Sequence, residues 1–318
     1  VAPAKLNLTL AVTGRRPDGF HELHSVMAPL GLADRLSVAP AAGPLDSRHV
    51  SGAPADFPDD DLVLRAIRAA RAAVRTTWPG APGAPPALAA RLEKRIPMAA
   101  GLAGGSSDAA AALSAALEAW GADLGADGLL ATAATLGSDV PFFLAGAIAL
   151  VEGRGERVTP LSPVAGGPPG VLLVTPPVAV STVEVFAAFD AGLRPPDGGA
   201  ASRATSAHIA DELRRGIDTA ALLARAGILA TANDLIPATE TLLPGMTAAR
   251  RALGRLLHRP VGQSGSGPTL WALYPSLDEA RTGEDAVRRA LADGTLILPG
   301  VGAPFVLATT MLSGGVQP

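Results

Sequence analysis

The segment Pro97 to Leu113, PMAAGLAGGSSDAAAAL, constrains the fold more than any other stretch of the chain. The pattern predicts a strand ending at Pro97, a turn containing Gly101, Gly104 and Gly105, and an Ala-rich helix capped by Ser106 or Ser107 and reaching Trp120. Glycines let backbone N–H groups approach an anion, and a helix start adds unpaired N–H groups and the positive end of a dipole. Such a unit cradles phosphates. It is neither a Walker A loop, since no Lys follows the glycines, nor the GxGxxG of a dinucleotide fold. In isolation it also reads as a plain glycine turn before an amphipathic helix.

With 36 glycines and 29 prolines in 318 residues, the chain cannot be a coiled coil or a helical bundle. Its 48% hydrophobic and 17% charged residues suffice for a sizeable core, in one large domain or two modest ones. A net charge of -3 supplies no basic field for nucleic acid, so a small molecule is the expected ligand. The absence of Cys excludes disulfides, thiolate zinc sites, iron-sulfur clusters and Cys nucleophiles, and a reducing cytoplasm is the expected location. Mean hydropathy is +0.31. Even so, the longest apolar run, Val140 to Val151 between Asp139 and Glu152, is too short to span a membrane, and VAPAKLNLTLAV does not read as a signal peptide.

Along the chain, Val1 to Val12 reads as a strand, Pro17 to Gly19 as a turn, and His24 to Leu32 and Asp34 to Ala39 as further extended segments. Pro40 to Asp56 reads as a surface loop, Asp59 to Arg75 as a helix with three acidic residues at its start, Pro79 to Ala87 as a low-complexity connector, and Leu88 to Ile96 as a strand. Asp127 is the expected cap of a helix ending at Gly137. After a boundary near residue 160, Val171 to Val174 is a buried strand and residues 191 to 206 a polar loop. Helical patterns cover His208 to Ala226, Thr247 to Leu257 and Leu277 to Ala292, with strands at Thr269 to Tyr274 and near Phe305. The order of elements is α+β, without internal repeats.

In LGSDVPFFL, Asp139 follows a helix and precedes an apolar segment read as a strand, so burial is expected and an unpaired carboxylate there would be costly. Lys5, in PAKLN on the first strand, is an available cation. An Asp and Lys pair beside a phosphate cradle suits phosphorylation of an alcohol, although spacing alone equally allows a structural ion pair. Only two lysines, Lys5 and Lys94, and two asparagines, Asn7 and Asn233, survive in an Arg- and Ala-rich composition. A compact ammonium retained against that drift points to sites where a guanidinium would not serve. The Gly262 to Gly267 stretch is not a GxSxG elbow and reads alone as a tight turn. His21 and His24 suit a pocket or turn better than a metal, and Trp78, Trp120 and Trp271 are expected to pack into or over cores.

Taken together, PAKLNL, DGFHEL, PMAAGLAGGSSDAA, LGSDVPFFL and GQSGSGPT resemble the GHMP kinase superfamily over nearly the whole chain. Within it they resemble the branch, from the non-mevalonate isoprenoid pathway, whose substrate carries a cytidine diphosphate group. The resemblance implies an ATP-binding N-terminal domain of the ribosomal S5 domain 2-like fold (residues 1–160) and a ferredoxin-like C-terminal domain (161–318), with substrate between them. It implies Asp139 as base and Lys5 as its catalytic partner, with Asn7, Phe20, His21 and Thr182 on the substrate side and Phe20 stacking on cytosine. For ATP it implies Asp61, Lys94, Pro97, Gly101, Leu102, Gly104, Gly105, Ser106 and Ser107, with Mg2+ bridging the phosphates and Ser106 as its protein ligand. Three positions depart from the family pattern: Phe20 stands where Tyr is usual, Ala100 where Gly is usual, and Asp61 where Asn is usual. Another GHMP kinase, acting on mevalonate, homoserine or a sugar, and a non-catalytic nucleotide sensor on the same fold are the rival readings. DGFHEL argues against the first, and the joint presence of Lys5 and Asp139 against the second.

Overall fold

The computed structural model describes residues 1–53, 57–58, 61–77 and 85–312. Asp59, Asp60, Trp78 and most of the Pro79 to Ala87 connector lie outside them. Two sheets organise the chain. The first joins β1 (Ala2–Asn7), β2 (Ala11–Arg15), β3 (His21–Pro40), β4 (Ser47–Ser51), β5 (Leu88–Glu93), β6 (Ala149–Gly153) and β7 (Arg157–Pro160). The second is antiparallel, in the order β11 (Phe305–Thr310), β8 (Gly170–Thr175), β10 (Leu270–Tyr274) and β9 (Gly262–Gln263).

The two extended segments expected at 24–32 and 34–39 are one 20-residue strand, β3, which pairs with β1, β2, β5 and β6. Its middle, His24 to Leu30, is buried throughout, as a strand covered on both faces must be. Pro40 to Asp56 is not all loop, because β4 pairs in parallel with β5. Its residues, SRHVS, are polar and half exposed, so this edge strand carries no apolar signal.

Helices α2 (Gly104–Trp120) and α4 (Val140–Ala145) pack on the first sheet, and α1 (Leu62–Thr77) and α3 (Gly125–Leu136) pack against α2, sharing one apolar core with it. Leu124, not Asp127, occupies the N-cap position of α3, and Asp127 lies in its first turn. The segment after Asp139 is α4 rather than a strand. Pro141 fixes a helical φ in its first turn, and a short apolar run does not distinguish the two structures by pattern.

In the second half α5 (Thr182–Ala188) leads into a π-helical turn, Phe189–Leu193. The polar loop is shorter than expected, because α6 (Ala200–Arg214) starts at residue 200, where the Asp197 carboxylate accepts from the Ala201 N–H (2.8 Å). The pattern from His208 onward is broken after α6 into α7 (Thr219–Ala224) and α8 (Ala226–Leu229). Then follow α9 (Ile236–Leu242), α10 (Met246–Leu257) and α11 (Leu277–Ala292), the last on β8 and β11.

One core contains Leu6, Val26 and Leu30 of the first sheet together with Val171, Leu173 and Trp271 of the second. Gly262 lies against the buried Trp271 ring so closely that a Cβ would sit 2.3 Å from it. Gly262→Ala therefore forces either the ring or β9 to move. It should destabilise the protein by about 1–3 kcal/mol in urea unfolding, and an unchanged midpoint would contradict this packing.

Candidate active site

The loop between β5 and α2 lines a cleft of about 540 Å³, to which Pro97, Gly101, Gly104, Gly105 and Ser106 contribute. The helix starts earlier than the two serines suggest. Gly104 is its first residue, and Ala103, in left-handed conformation (φ 54°), occupies the N-cap position without a side-chain cap. The first intrahelical bond runs from Ser107 N–H to the Ala103 carbonyl (3.0 Å), so the N–H groups of Gly104, Gly105 and Ser106 are the ones a helix start presents to an anion.

Two expected ATP ligands turn away. The Leu102 side chain is in the core and Ser107 is buried, and neither lines the cleft. Gly101 (φ 76°) packs on the second glycine stretch, where a Cβ would lie 2.3 Å from the Ser264 carbonyl oxygen. That stretch is a tight turn, closed by Gly267 N–H on the Ser264 carbonyl (2.9 Å). Ala100, the family departure, is buried with an ordinary φ. The left-handed alanines of the loop are Ala99 (φ 50°) and Ala103.

Lys5, buried on β1, donates to the Asn7 side-chain carbonyl (2.5 Å) and the Gly101 carbonyl (2.9 Å), with Asp139 Oδ2 at 3.9 Å. Burial pushes its pKa down, and the Asp139 charge opposes part of that shift. Asp139 immediately precedes α4 and retains 29% side-chain exposure, so it is less buried than expected and open to a ligand. Asn7 donates to Ser25 Oγ (2.9 Å).

A second cavity, about 560 Å³, adjoins the first and is lined by Phe20, His21, Arg15, Arg154, Phe186 and Asp190 among others. Leu23, Ser106, Asp139, Thr182 and Phe186 line both cavities. The His21 ring stacks on Phe186 (centroids 4.5 Å apart) and its Nε2 meets Asp190 Oδ1 at 2.9 Å. Phe20 is half exposed, with the Arg154 guanidinium 5.2 Å from its ring centroid. Thr182, at the start of α5, shares a hydrogen bond with Ser266 Oγ (2.9 Å).

Two of the expected adenine residues are committed elsewhere. Lys94 Nζ donates to Asp34 and to Asp108 Oδ2 (2.7 Å), all three side chains being buried. Burial raises the Asp108 pKa to about 7, with the Asp34 charge adding to the rise and Lys94 opposing it. Asp61 caps α1. Its Oδ1 accepts from the N–H groups of Val63 (2.9 Å) and Leu64 (3.0 Å), and its Oδ2 pairs with Arg48. Both residues line the cleft, but their charges are satisfied within the protein.

Residues 61–147 match the family model described as GHMP kinases N terminal domain. A 4-diphosphocytidyl-2-C-methyl-D-erythritol kinase of Pelotomaculum thermopropionicum is 41% identical over 287 residues, covering 88% of this chain and 90% of the relative. The chain belongs to this kinase family. A Streptomyces avermitilis relative of the same description is 39% identical over 92% of both chains. A crystal structure of 4-(cytidine 5'-diphospho)-2C-methyl-D-erythritol kinase superposes with a TM-score of 0.70 at 34% identity, covering 99% of this chain and 98% of its own. GHMP kinases of this family take ATP as co-substrate.

Several residues escaped the sequence reading. Phe186 and Asp190 lie on a short helix and a π-turn that no long periodicity marks. Asn233, the second of the rare asparagines, holds the glycine turn by donating to the carbonyls of Gln263 (3.0 Å) and Gly265 (2.9 Å). Its rarity was the available signal.

Because an Asn at position 61 would still cap α1 but would lose the Arg48 ion pair, Asp61→Asn should leave ATP affinity within about twofold. It should lower stability by about 1–3 kcal/mol, the cost of a buried group left unpaired. Isothermal titration and thermal unfolding measure the two effects. A large gain in ATP affinity would instead place residue 61 at the base.

Proposed function

We propose that the protein transfers the γ-phosphoryl group of ATP to the 2-hydroxyl of 4-diphosphocytidyl-2-C-methyl-D-erythritol, a step in isoprenoid precursor biosynthesis, and that it does so in the cytoplasm. The observation that carries this reading is the meeting of the two cavities at Asp139, with Lys5 alongside. One cavity has the loop and helix start suited to a triphosphate, and the other has the aromatic and hydrogen-bonding groups suited to a pyrimidine.

In this reading the N–H groups of Gly104, Gly105 and Ser106 hold the phosphates. The acceptor hydroxyl oxygen attacks the γ-phosphorus, the bond to the bridging oxygen of ADP breaks, and Asp139 takes the hydroxyl proton. Lys5, fixed by Asn7 and the Gly101 carbonyl, faces the negative charge that develops there. A rigid tether of that kind does not accommodate a planar guanidinium, so Lys5→Arg should lose most activity despite its charge. Ser106 and Asp139 share a wall of both cavities. The Ser106 hydroxyl is a neutral protein donor of the kind that suits Mg2+ held largely by phosphates and water. When bound, the ion neutralises charge on the β- and γ-phosphates.

On the substrate side, Asp190 is ionised: although burial opposes it, hydrogen bonds from His21 and Arg194 hold its pKa below the usual carboxylate range. A carboxylate can only accept, so the His21 Nε2 proton is directed to Asp190, and in the tautomer that carries only this proton Nδ1 would be an acceptor. An acceptor matches the 4-amino group of cytosine and opposes the 4-carbonyl of uracil. Phe20 and Phe186 supply stacking faces, which alone would tolerate either base.

Asp139→Asn should lower kcat by about 100- to 10,000-fold and leave the ATP dissociation constant nearly unchanged. Single-turnover ADP release together with ATP titration measures both quantities, and wild-type turnover would remove Asp139 from the role of base. The uridine analogue should have a kcat/KM well below that of the cytidine substrate. Equal values in a coupled assay would show that the base is not read by His21.

A further inference from the structure

The phosphate-binding loop contains two L-residues, Ala99 (φ 50°) and Ala103 (φ 54°), in left-handed backbone conformation. There the Cβ crowds the backbone, and such residues persist only where the surroundings over-determine them. Neither alanine has a polar side chain to hold itself. The loop is bounded by the end of the β5 segment before it and by α2 after it, and one buried carboxylate reaches both boundaries.

Asp34, fully buried on β3, accepts with Oδ1 from the N–H groups of Arg95 (2.5 Å) and Ile96 (2.8 Å), immediately before Pro97. With Oδ2 it binds Lys94, whose ammonium also holds Asp108 Oδ2 (2.7 Å) in the first turns of α2. Lys94 Nζ lies beside Gly104, the first helical residue. The Lys94 ammonium and two carboxyl groups thus pin the loop's entry and exit to the same point on the sheet.

We propose that Asp34 is a positioning residue for ATP: it holds both ends of the loop, directly and through Lys94 and Asp108, and so keeps Ala99 and Ala103 in the left-handed geometry that presents the loop's N–H groups to the phosphates. The inference rests on the reading of this loop as the ATP phosphate site. Asp34 itself does not touch the nucleotide. The clamp and the strain oppose each other, so their effects are coupled, which a general loss of stability would not produce.

The test is a double-mutant comparison of ATP dissociation constants by titration, with kcat measured alongside. Asp34→Asn should raise the ATP dissociation constant about tenfold, with a smaller effect on kcat, because the loop relaxes away from its binding shape. In a chain that also carries Ala99→Gly and Ala103→Gly, the strain is gone and the same substitution should raise it less than threefold. Where Asp34→Asn does not fold, Asp108→Asn makes the same comparison, since it keeps an acceptor for Lys94 but loses a counter-charge. It should weaken ATP binding about threefold in the alanine chain and less in the glycine chain. Equal factors in the two backgrounds, or a loss of melting temperature with no change in ATP affinity, would overturn the clamp while leaving the proposed function standing. A parent protein that does not bind ATP would overturn both.

Discussion

In the proposed function the loop between β5 and α2 binds phosphate with its backbone, so its shape must be imposed from outside. Much of this protein can be understood as the means of doing so. Asp34 and Lys94 fasten the two ends of the loop, the Lys5 ammonium and Ser264 hydroxyl both donate to the Gly101 carbonyl, and Asn233 fixes the second glycine turn on which Gly101 rests. The strand order follows from the same need, since β1 and β3 must lie side by side to bring Lys5 and Asp34 to the two flanks of the loop.

The two lysines illustrate how one residue type serves different ends in a desolvated setting. Lys94 donates to two carboxyl groups at hydrogen-bonding range, an arrangement that commits its ammonium to partners within the protein. Lys5 has a more distant and partly hydrated partner, and its other contacts are neutral oxygens. Its charge is therefore under-compensated, as suits a group that must respond to charge arriving with a ligand.

The candidate site was readable from chemistry at Lys5, Asp139 and the glycines Gly101, Gly104 and Gly105, and from the family resemblance at Asn7, His21 and Thr182, all of which line the two cavities. It was illegible where two local signals compete. Asp61 precedes an apolar helical run, so capping and ligand contact predict the same residue, and only the positions of Val63, Leu64 and Arg48 separate them. The serines at 106 and 107 looked like caps because Ala103, an unusual residue for a left-handed position, hid the true helix start. The run after Asp139 is apolar enough for either a strand or a helix, and β4 is too polar to resemble a strand at all. Helix α5 did carry a signature, Ser181 followed three residues later by Glu184, with the Ser181 hydroxyl accepting from the Glu184 N–H (3.4 Å). Its seven residues are too short for periodicity to announce, and Phe186 was hidden with them.

The core that runs through both sheets has a consequence for how molecules enter and leave. Leu6 and Leu30 pack in one cluster with Leu173 and Trp271, and Leu30 also pairs with Met311 across the sheets. Swinging the two halves apart would wet that cluster, at a cost far above that of moving a surface segment. The elements outside that cluster that border the second cavity are Gly19, Phe20 and helix α5, whose Val183 is largely exposed.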